Sequence, residues 1–475
     1  MDVKQILEKD RVLAVQTLSE LISMKSVQED PAPAPDGGVY PFGQGVQDAF
    51  AYMLRKGQEF GFRVLDYDRF GGHIEFGEGS ETVGIMAHLD VVPAGEGWSF
   101  DPFSGVVKDG FLYGRGATDD KGPLVAAFFA MKALKDSGFE PKRRVRLILG
   151  LDEEQEWRGM HHYLEHVGAP DLGFTPDADF PVLYGEKGIL QFDLAKKLVD
   201  RKRRGLTLRK LSGGMARNVV PEKARALVNH PDRKVYDQIR NQAAAFQAET
   251  GHQLTVRPLG RSLEILAMGR SAHASTPDQG LNAISVLFDF LARLDFEDDG
   301  LQDFLTFYND HIGYRTDGSA IGLAMSDQDS GPLTFNVGLC TYDGGSVQIS
   351  CDVRYPVTKT ADQVYERLRP YADASQLGIV RGKDEAPIFM EKDSPLVTSL
   401  MEVYREVTGD RDSQPLVIGG GTFARACPNI VAFGGHFQGE PDLMHQRDEK
   451  LSLDSFYKMM DIYAAAIRKI SGEAS

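Results

Sequence analysis

Within IMAHLDVVPA, residues 85–94, an otherwise apolar run carries a histidine and, two positions on, an aspartate. Side chains two apart on a strand share a face, so His88 and Asp90 point the same way. A strand this apolar is buried, and a buried imidazole or carboxylate needs a partner or a cation. Asp90 can take the proton on one ring nitrogen of His88, which fixes the tautomer and makes the other nitrogen a better metal donor. A hydrogen-bonded pair without metal is the plainer account of the same two residues.

Two acid-rich stretches extend the inventory. GRGATDDKGP, 114–123, sets paired acids in a Gly-rich turn just ahead of a helical stretch. Asp119 or Asp120 can cap that helix, but one acid is enough for a cap. Two adjacent acids repel, and a divalent cation would offset the repulsion. In LDEEQEW, 151–157, three acids follow an apolar strand. There Glu154 can bind a metal while Glu153 faces a water held by it, as a general base. Acids favoured by the dipole at a helix start are the competing account.

His88, Asp119, Glu154, Asp177 and His445 together form a set of imidazole and carboxylate donors in stretches that are otherwise apolar. Without thiolates, such a set suits Zn²⁺ in a catalytic role, with Mn²⁺ or Co²⁺ as substitutes. SCDVRYP interrupts a period-2 strand pattern with Arg354, whose planar fork matches a carboxylate. IGGGTFAR offers the backbone N–H groups of Gly420, Gly421 and Thr422 to an anion, although a tight turn is the ordinary use of a glycine triplet.

The elements that must position these residues alternate between residue 81 and about 190: ETVGIMAHLDVV, FLYGRGATDD, the helical PLVAAFFAMKALKDSG with its stop at Gly138, and RVRLILGLDEE. Strands interleaved with helices predict an α/β domain, a largely parallel twisted sheet flanked by helices, with ligands gathered at the carboxyl ends of the strands. His88, Asp119 and Glu153 lie at or near such ends. From 187 to 385 the texture changes to longer amphipathic strands (SLEILAMGRSAH, LTFNVGLCTY, SVQISCDVRYP) and a few helices, the pattern of an inserted α+β domain. The α/β texture then resumes. The expected organisation is a discontinuous catalytic domain, 1–186 and 386–475, around an insert at 187–385. PAPAPDGG, 31–38, is read as a rigid loop.

The 475 residues and 42% hydrophobic content are those of a soluble protein of two or more domains. A net charge of −16 excludes a polyanionic partner such as nucleic acid. The start, MDVKQILEKDRVLAVQTLSELISM, reads as an amphipathic helix rather than a signal peptide, and no apolar run approaches the ~20 residues that span a bilayer. Cys340, Cys351 and Cys427 lack CxxC spacing and suit buried thiols in a reducing compartment, so the cytoplasm is expected. His73, His161, His162, His166, His230, His252 and His311 are assigned to surface or core, His436 is left open, and the basic run DRKRRG at 200–205 reads as a solvated loop.

In this order HLDVVP, GRGATDDKGP, DEE, TPDADFP, GRSAHASTPDQGLNA and MHQRDE resemble the motifs of the M20 metallopeptidases, the family of aminoacylase, carboxypeptidase G and bacterial dipeptidases. The resemblance is strongest to the PepV-type dipeptidase branch and covers nearly the whole chain. It implies two zinc ions, one held by His88 and Asp177 and the other by Glu154 and His445, with Asp119 bridging them around a shared water. Glu153 would take the water's proton during attack and deliver it to the departing amine. Asp120 follows the bridge where many relatives carry an apolar residue, and it is given no ligand role.

The same resemblance makes His273 and Asn218, both in the insert, donors to the tetrahedral oxyanion, and Arg354 the grip on a substrate's C-terminal carboxylate. It makes the insert a lid that supplies within one chain what shorter relatives take from a partner subunit, so a monomer is expected. The implied activity is hydrolysis of dipeptides with a free amino terminus, whose ammonium Asp177 or Asp179 would receive. N-acyl amino acid hydrolysis, as by aminoacylases or desuccinylases, is the alternative within enzymes. A non-catalytic scaffold is the third reading, and the loss of Glu153 or a ligand that would mark it is not seen.

Overall fold

Thr82–His88 lies at the centre of a mixed sheet, and every one of its residues is buried. No alternation of polar and apolar residues appears in it because both faces of the sheet are covered. The computed structural model describes residues 2–198 and 205–472. The chain divides into two compact units: Met1–Gly185 with Phe389–Leu416 and Gly421–Ser475, and Glu186–Ile388 with Val417–Gly420. Val417–Gly420 thus groups with the second unit, although it lies inside the 386–475 stretch assigned by sequence to the first. The Ile418 carbonyl accepts from the Lys187 N–H at 2.8 Å, and the Gly419 carbonyl accepts from Arg354 at 2.7 Å.

Six strands of the first unit run in the spatial order Ile430–Ala432, Leu172–Thr175, Thr82–His88, Arg144–Gly150, Gly71–Phe76 and Arg63–Tyr67. The sheet expected to be largely parallel is parallel only among the first four of these and antiparallel beyond them. The cause is the connection between Arg63–Tyr67 and Gly71–Phe76, which is far too short for a crossover. It turns on Asp68 and Arg69, both at positive φ. The helix Lys121–Asp136 is buried along most of its length and packs against the helices Val3–Ser23 and Leu453–Ser471. Gly138, at φ 84°, adopts the left-handed conformation just past its end. The loop expected at PAPAPDGG contains a small antiparallel ladder, Ala32–Pro33 against Val39–Tyr40.

The second unit is built on an eight-stranded sheet, in the order Leu254–Leu259, Ser262–Met268, Lys223–Asn229, Thr207–Gly213, Thr334–Tyr342, Ser346–Tyr355, Gly188–Lys197 and Gly378–Glu385. All its pairings are antiparallel. Within Gly188–Lys197 the buried Leu190, Phe192 and Leu194 alternate with less buried neighbours, as expected of a sheet packed on one face. The helices Lys234–Thr250, Ala283–Ala292, Asp299–His311 and Ala361–Ala374 contribute to that core. Residues 200–204 of the basic run lie outside the described residues. All three cysteines are buried and unpaired, and no described helix is long and apolar enough to cross a membrane.

Candidate metal centre

His88 closes its strand at the carboxyl end, fully buried, with Nε2 2.9 Å from Asp119 Oδ1 and 3.8 Å from Asp177 Oδ2. The second oxygen of Asp119 lies 2.9 Å from His445 Nε2, which is 3.1 Å from Glu154 Oε1. One carboxylate therefore stands between two imidazoles drawn from opposite ends of the chain. Two triads in the first unit, His88–Glu153–Asp177 and His88–Asp119–Glu154, each bring their ligand atoms within 4.8 Å of one another. The structure gathers His88, Asp119, Glu153, Glu154, Asp177 and His445 at one place.

What holds them differs from the sequence reading in two respects. The Asp90 carboxylate, expected to pair with the imidazole, lies 3.5 Å from His88 Nδ1, too far for a good hydrogen bond. Nδ1 donates instead to the Asp90 backbone carbonyl at 2.9 Å, which leaves Nε2 to face Asp119. The Asp90 carboxylate accepts the backbone N–H groups of Glu153 and Glu154, each at 3.1 Å, and so ties the two acids to the histidine strand. Asp120 precedes the helix Lys121–Asp136 but makes no side-chain cap to it. Its Oδ2 accepts from the His88 N–H at 3.1 Å. Capping falls to Asp152, which accepts from the N–H groups of Arg158 and Gly159 at the start of Arg158–Val167.

Two further residues support the centre, and the sequence reading passed over both. Glu449, fully buried, accepts from Arg115 at 2.5 Å, from the Gly116 N–H at 3.2 Å, and from the Thr118 N–H and hydroxyl at 2.9 Å each. It organises the turn that presents Asp119. Its signal was an acid within MHQRDE, a motif already in hand. Phe423 packs edge-on against the His88 ring, centroids 6.1 Å apart. A methyl on Gly150 would come within 2.4 Å of the Phe423 ring, so only glycine fits there.

The cluster carries more acid than its imidazoles can balance. Burial, reinforced by Asp119, pushes the Asp177 carboxyl up to about 7. Burial and the charge of Asp177 push Glu153 and Asp120 well above the usual carboxylate range. Burial opposes ionisation of Asp119 too, yet hydrogen bonds from His445 and His88 hold it low. His445 is raised to about 11 by its hydrogen bonds to Asp119 and Glu154, and His88 is raised by Asp119 and Asp90 against the pull of burial. Oxygen and nitrogen donors converging with excess negative charge are the chemistry of a divalent cation site, where metal replaces the imidazole protons. The residues present fit such a group.

In the second unit the Asn218 backbone carbonyl accepts from the Ala274 N–H at 2.9 Å, and a bridge pairs Val219 with His273, so Asn218 and His273 are neighbours. Both side chains are exposed, and His273 Nδ1 lies 2.6 Å from Ser275 Oγ. Arg354 is buried, and the fork expected to await a carboxylate already faces one. Nε lies 2.6 Å and Nη2 3.3 Å from the two oxygens of Asp352, two residues back on the same strand face. Gly420 and Gly421 lie outside the left-handed region, so the alternating conformation of an anion nest is absent there. Thr422, in the first unit, uses its hydroxyl to accept from the Ala424 N–H and cap Phe423–Ala426. His436, left open by sequence, lies with Nδ1 2.8 Å from Asp179 Oδ1.

Comparison with known proteins bears on the whole chain. Residues 84–469 match the sequence profile of Peptidase family M20/M25/M40. A Bacillus subtilis protein named "Putative dipeptidase YtjP" is 35% identical over 459 residues, 96% of this chain and 97% of that protein. A Staphylococcus saprophyticus protein, "Putative dipeptidase SSP1012", is 35% identical over 464 residues, 97% of each chain. The fold is that of human carnosine dipeptidase 1, with a TM-score of 0.57 at 16% identity over 99% of this chain and 98% of the other.

Proposed function

The chain belongs to Peptidase family M20/M25/M40, and from that premise we propose that it is a metal-dependent dipeptidase acting on substrates with a free amino terminus and a free C-terminal carboxylate. The relatives' names support the substrate class, and one observation carries the mechanism: the Asp119 carboxylate has an imidazole 2.9 Å from each of its oxygens. In this reading His88 and Asp177 would hold one divalent cation and Glu154 and His445 the other, with Asp119 available to both. Zinc is the expected metal, with Mn²⁺ or Co²⁺ able to substitute. Bound there, the cations would polarise the scissile carbonyl and acidify the attacking water.

The chain's own residues do the rest. Glu153, half-buried among the ligands, takes a proton from the water as its oxygen bonds to the carbonyl carbon. It returns that proton to the amine nitrogen as the C–N bond breaks. Asp90 holds the backbone of Glu153 and Glu154, keeping base and ligand in register. On the resemblance of their motifs, His273 and Asn218 donate to the oxyanion and Arg354 recognises the C-terminal carboxylate. The 187–385 insert acts as their lid, in a monomeric cytoplasmic enzyme. With Asp352 on the Nε and Nη2 edge of Arg354, the remaining N–H groups of the guanidinium serve the substrate.

The test compares Ala-Ala with N-acetyl-Ala-Ala, before and after chelation and metal return, with metal content measured in parallel. Cleavage of the free dipeptide alone, lost and regained with about two metal ions per chain, is the expected result. Preference for the acetylated substrate would move the assignment to an N-acyl amino acid hydrolase.

A further inference from the structure

The second unit contains a cavity of about 310 Å³ that the proposed reaction does not use. Its floor is apolar and buried, formed by Val220, Ile312, Phe335 and Val337, each 3% exposed or less. Asp278 and Arg315, both exposed, line the same cavity with opposite charges. They do not pair: no ion pair joins them within 4 Å among the described residues. Arg315 donates only through Nη1, to the Asp310 carbonyl at 3.3 Å, so its other N–H groups are available. The nearby acid Asp317 is engaged with the Ser319 N–H. Two opposite charges that line one cavity without pairing there can each take up the opposite charge of a single ligand.

We propose that this cavity binds a small zwitterion with an apolar side chain, the class of free α-amino acids. Its carboxylate meets Arg315, its ammonium meets Asp278, and its side chain occupies the apolar floor. The volume admits a free amino acid as large as leucine. The inference stands on the two charges and the floor, and does not depend on the chain being a dipeptidase. Its location gives it a consequence. Pro277, in the cavity wall, lies four residues beyond His273, and Val220, in the floor, follows the Val219–His273 bridge. Occupancy would therefore brace the loop that carries His273.

The probe is L-leucine, titrated calorimetrically into the full-length, metal-loaded protein. Saturable binding is expected. Arg315→Gln and Asp278→Asn should each weaken it at least about tenfold, as should replacing leucine by leucinamide or N-acetylleucine, each lacking one charge. Both substitutions lie on the surface, so thermal midpoints and dipeptide kcat/KM without added leucine should match the parent. Leucine binding that is absent in the parent, or equally tight in the parent and both variants, would overturn the proposal. Equal tightness would assign the leucine to the metal centre instead.

Discussion

The two units carry their candidate chemistry in opposite ways. In the first, His88, Asp119, Asp90 and Glu449 are buried, and backbone N–H groups or neighbouring side chains hold them: Glu449 alone accepts four hydrogen bonds. In the second, Asn218 and His273 stand exposed on adjoining segments, and only Arg354 is buried, bound to Asp352. A cation site must be built before its ligand arrives, because unpaired buried charge is costly. A group that meets the substrate only during reaction can sit in water until then. The first unit is thus a preorganised electrostatic centre and the second a presenter of polar groups. Substitutions should separate stability from turnover along that line.

The largest effect should come from Glu153→Gln, which keeps the shape but removes the base. Turnover is expected to fall by ~10²–10⁴-fold with metal content and thermal midpoint unchanged. A parallel loss of metal would make Glu153 a ligand instead. Glu449→Ala should fail differently, by leaving Arg115 buried without its partner. It is expected to cost about 3–5 kcal/mol in urea unfolding and to release metal on the way. Native stability in that variant would show that the turn bearing Asp119 is held by other means. His273→Ala should lower kcat by about 2.7–4 kcal/mol of transition-state stabilisation, with stability and metal content at parent values. A drop in thermal midpoint would contradict the division between the units.

Legibility in the sequence follows the same division. The histidine strand was readable because a polar pair inside an apolar run has few explanations, and the acids beside glycine were readable because they mark turns. Glu449 was not, since its meaning lies in Arg115 and Thr118, more than three hundred residues away. Asp90 was placed next to the right histidine but given the wrong acceptor atom. The backbone carbonyl competes for the same N–H, and residue types do not reveal which oxygen wins. The antiparallel edge of the first sheet was hidden in a short turn at Asp68–Arg69. Val417–Gly420 was assigned by continuity with its flanks, whereas it is fixed by bonds to Lys187 and Arg354. For Arg354 the fork was recognised, and its resident carboxylate, two residues back, was overlooked.

The smallest predicted effect tests whether the first unit alone carries buried titratable histidine. His73 is 6% exposed, its Nδ1 2.7 Å from the Tyr163 hydroxyl, whereas no described histidine of the second unit is buried. Burial, aided by the nearby Arg146, lowers the His73 pKa from 6.5 to about 4. Between those values the unfolded chain binds a proton there that the folded protein does not, so stability falls as the pH drops from 6.5 towards 4 and is retained above 6.5. The loss amounts to at most on the order of 3 kcal/mol. Hydrogen exchange at pH 7 and pH 5 should show it as reduced protection around Gly71–Phe76 and Arg158–Val167. A His73→Gln variant keeps an acceptor for Tyr163 but cannot titrate, and should lose this part of the pH dependence. If the variant's acid response matches the parent's, or if the second unit loosens equally, buried histidine does not distinguish the two halves of the molecule.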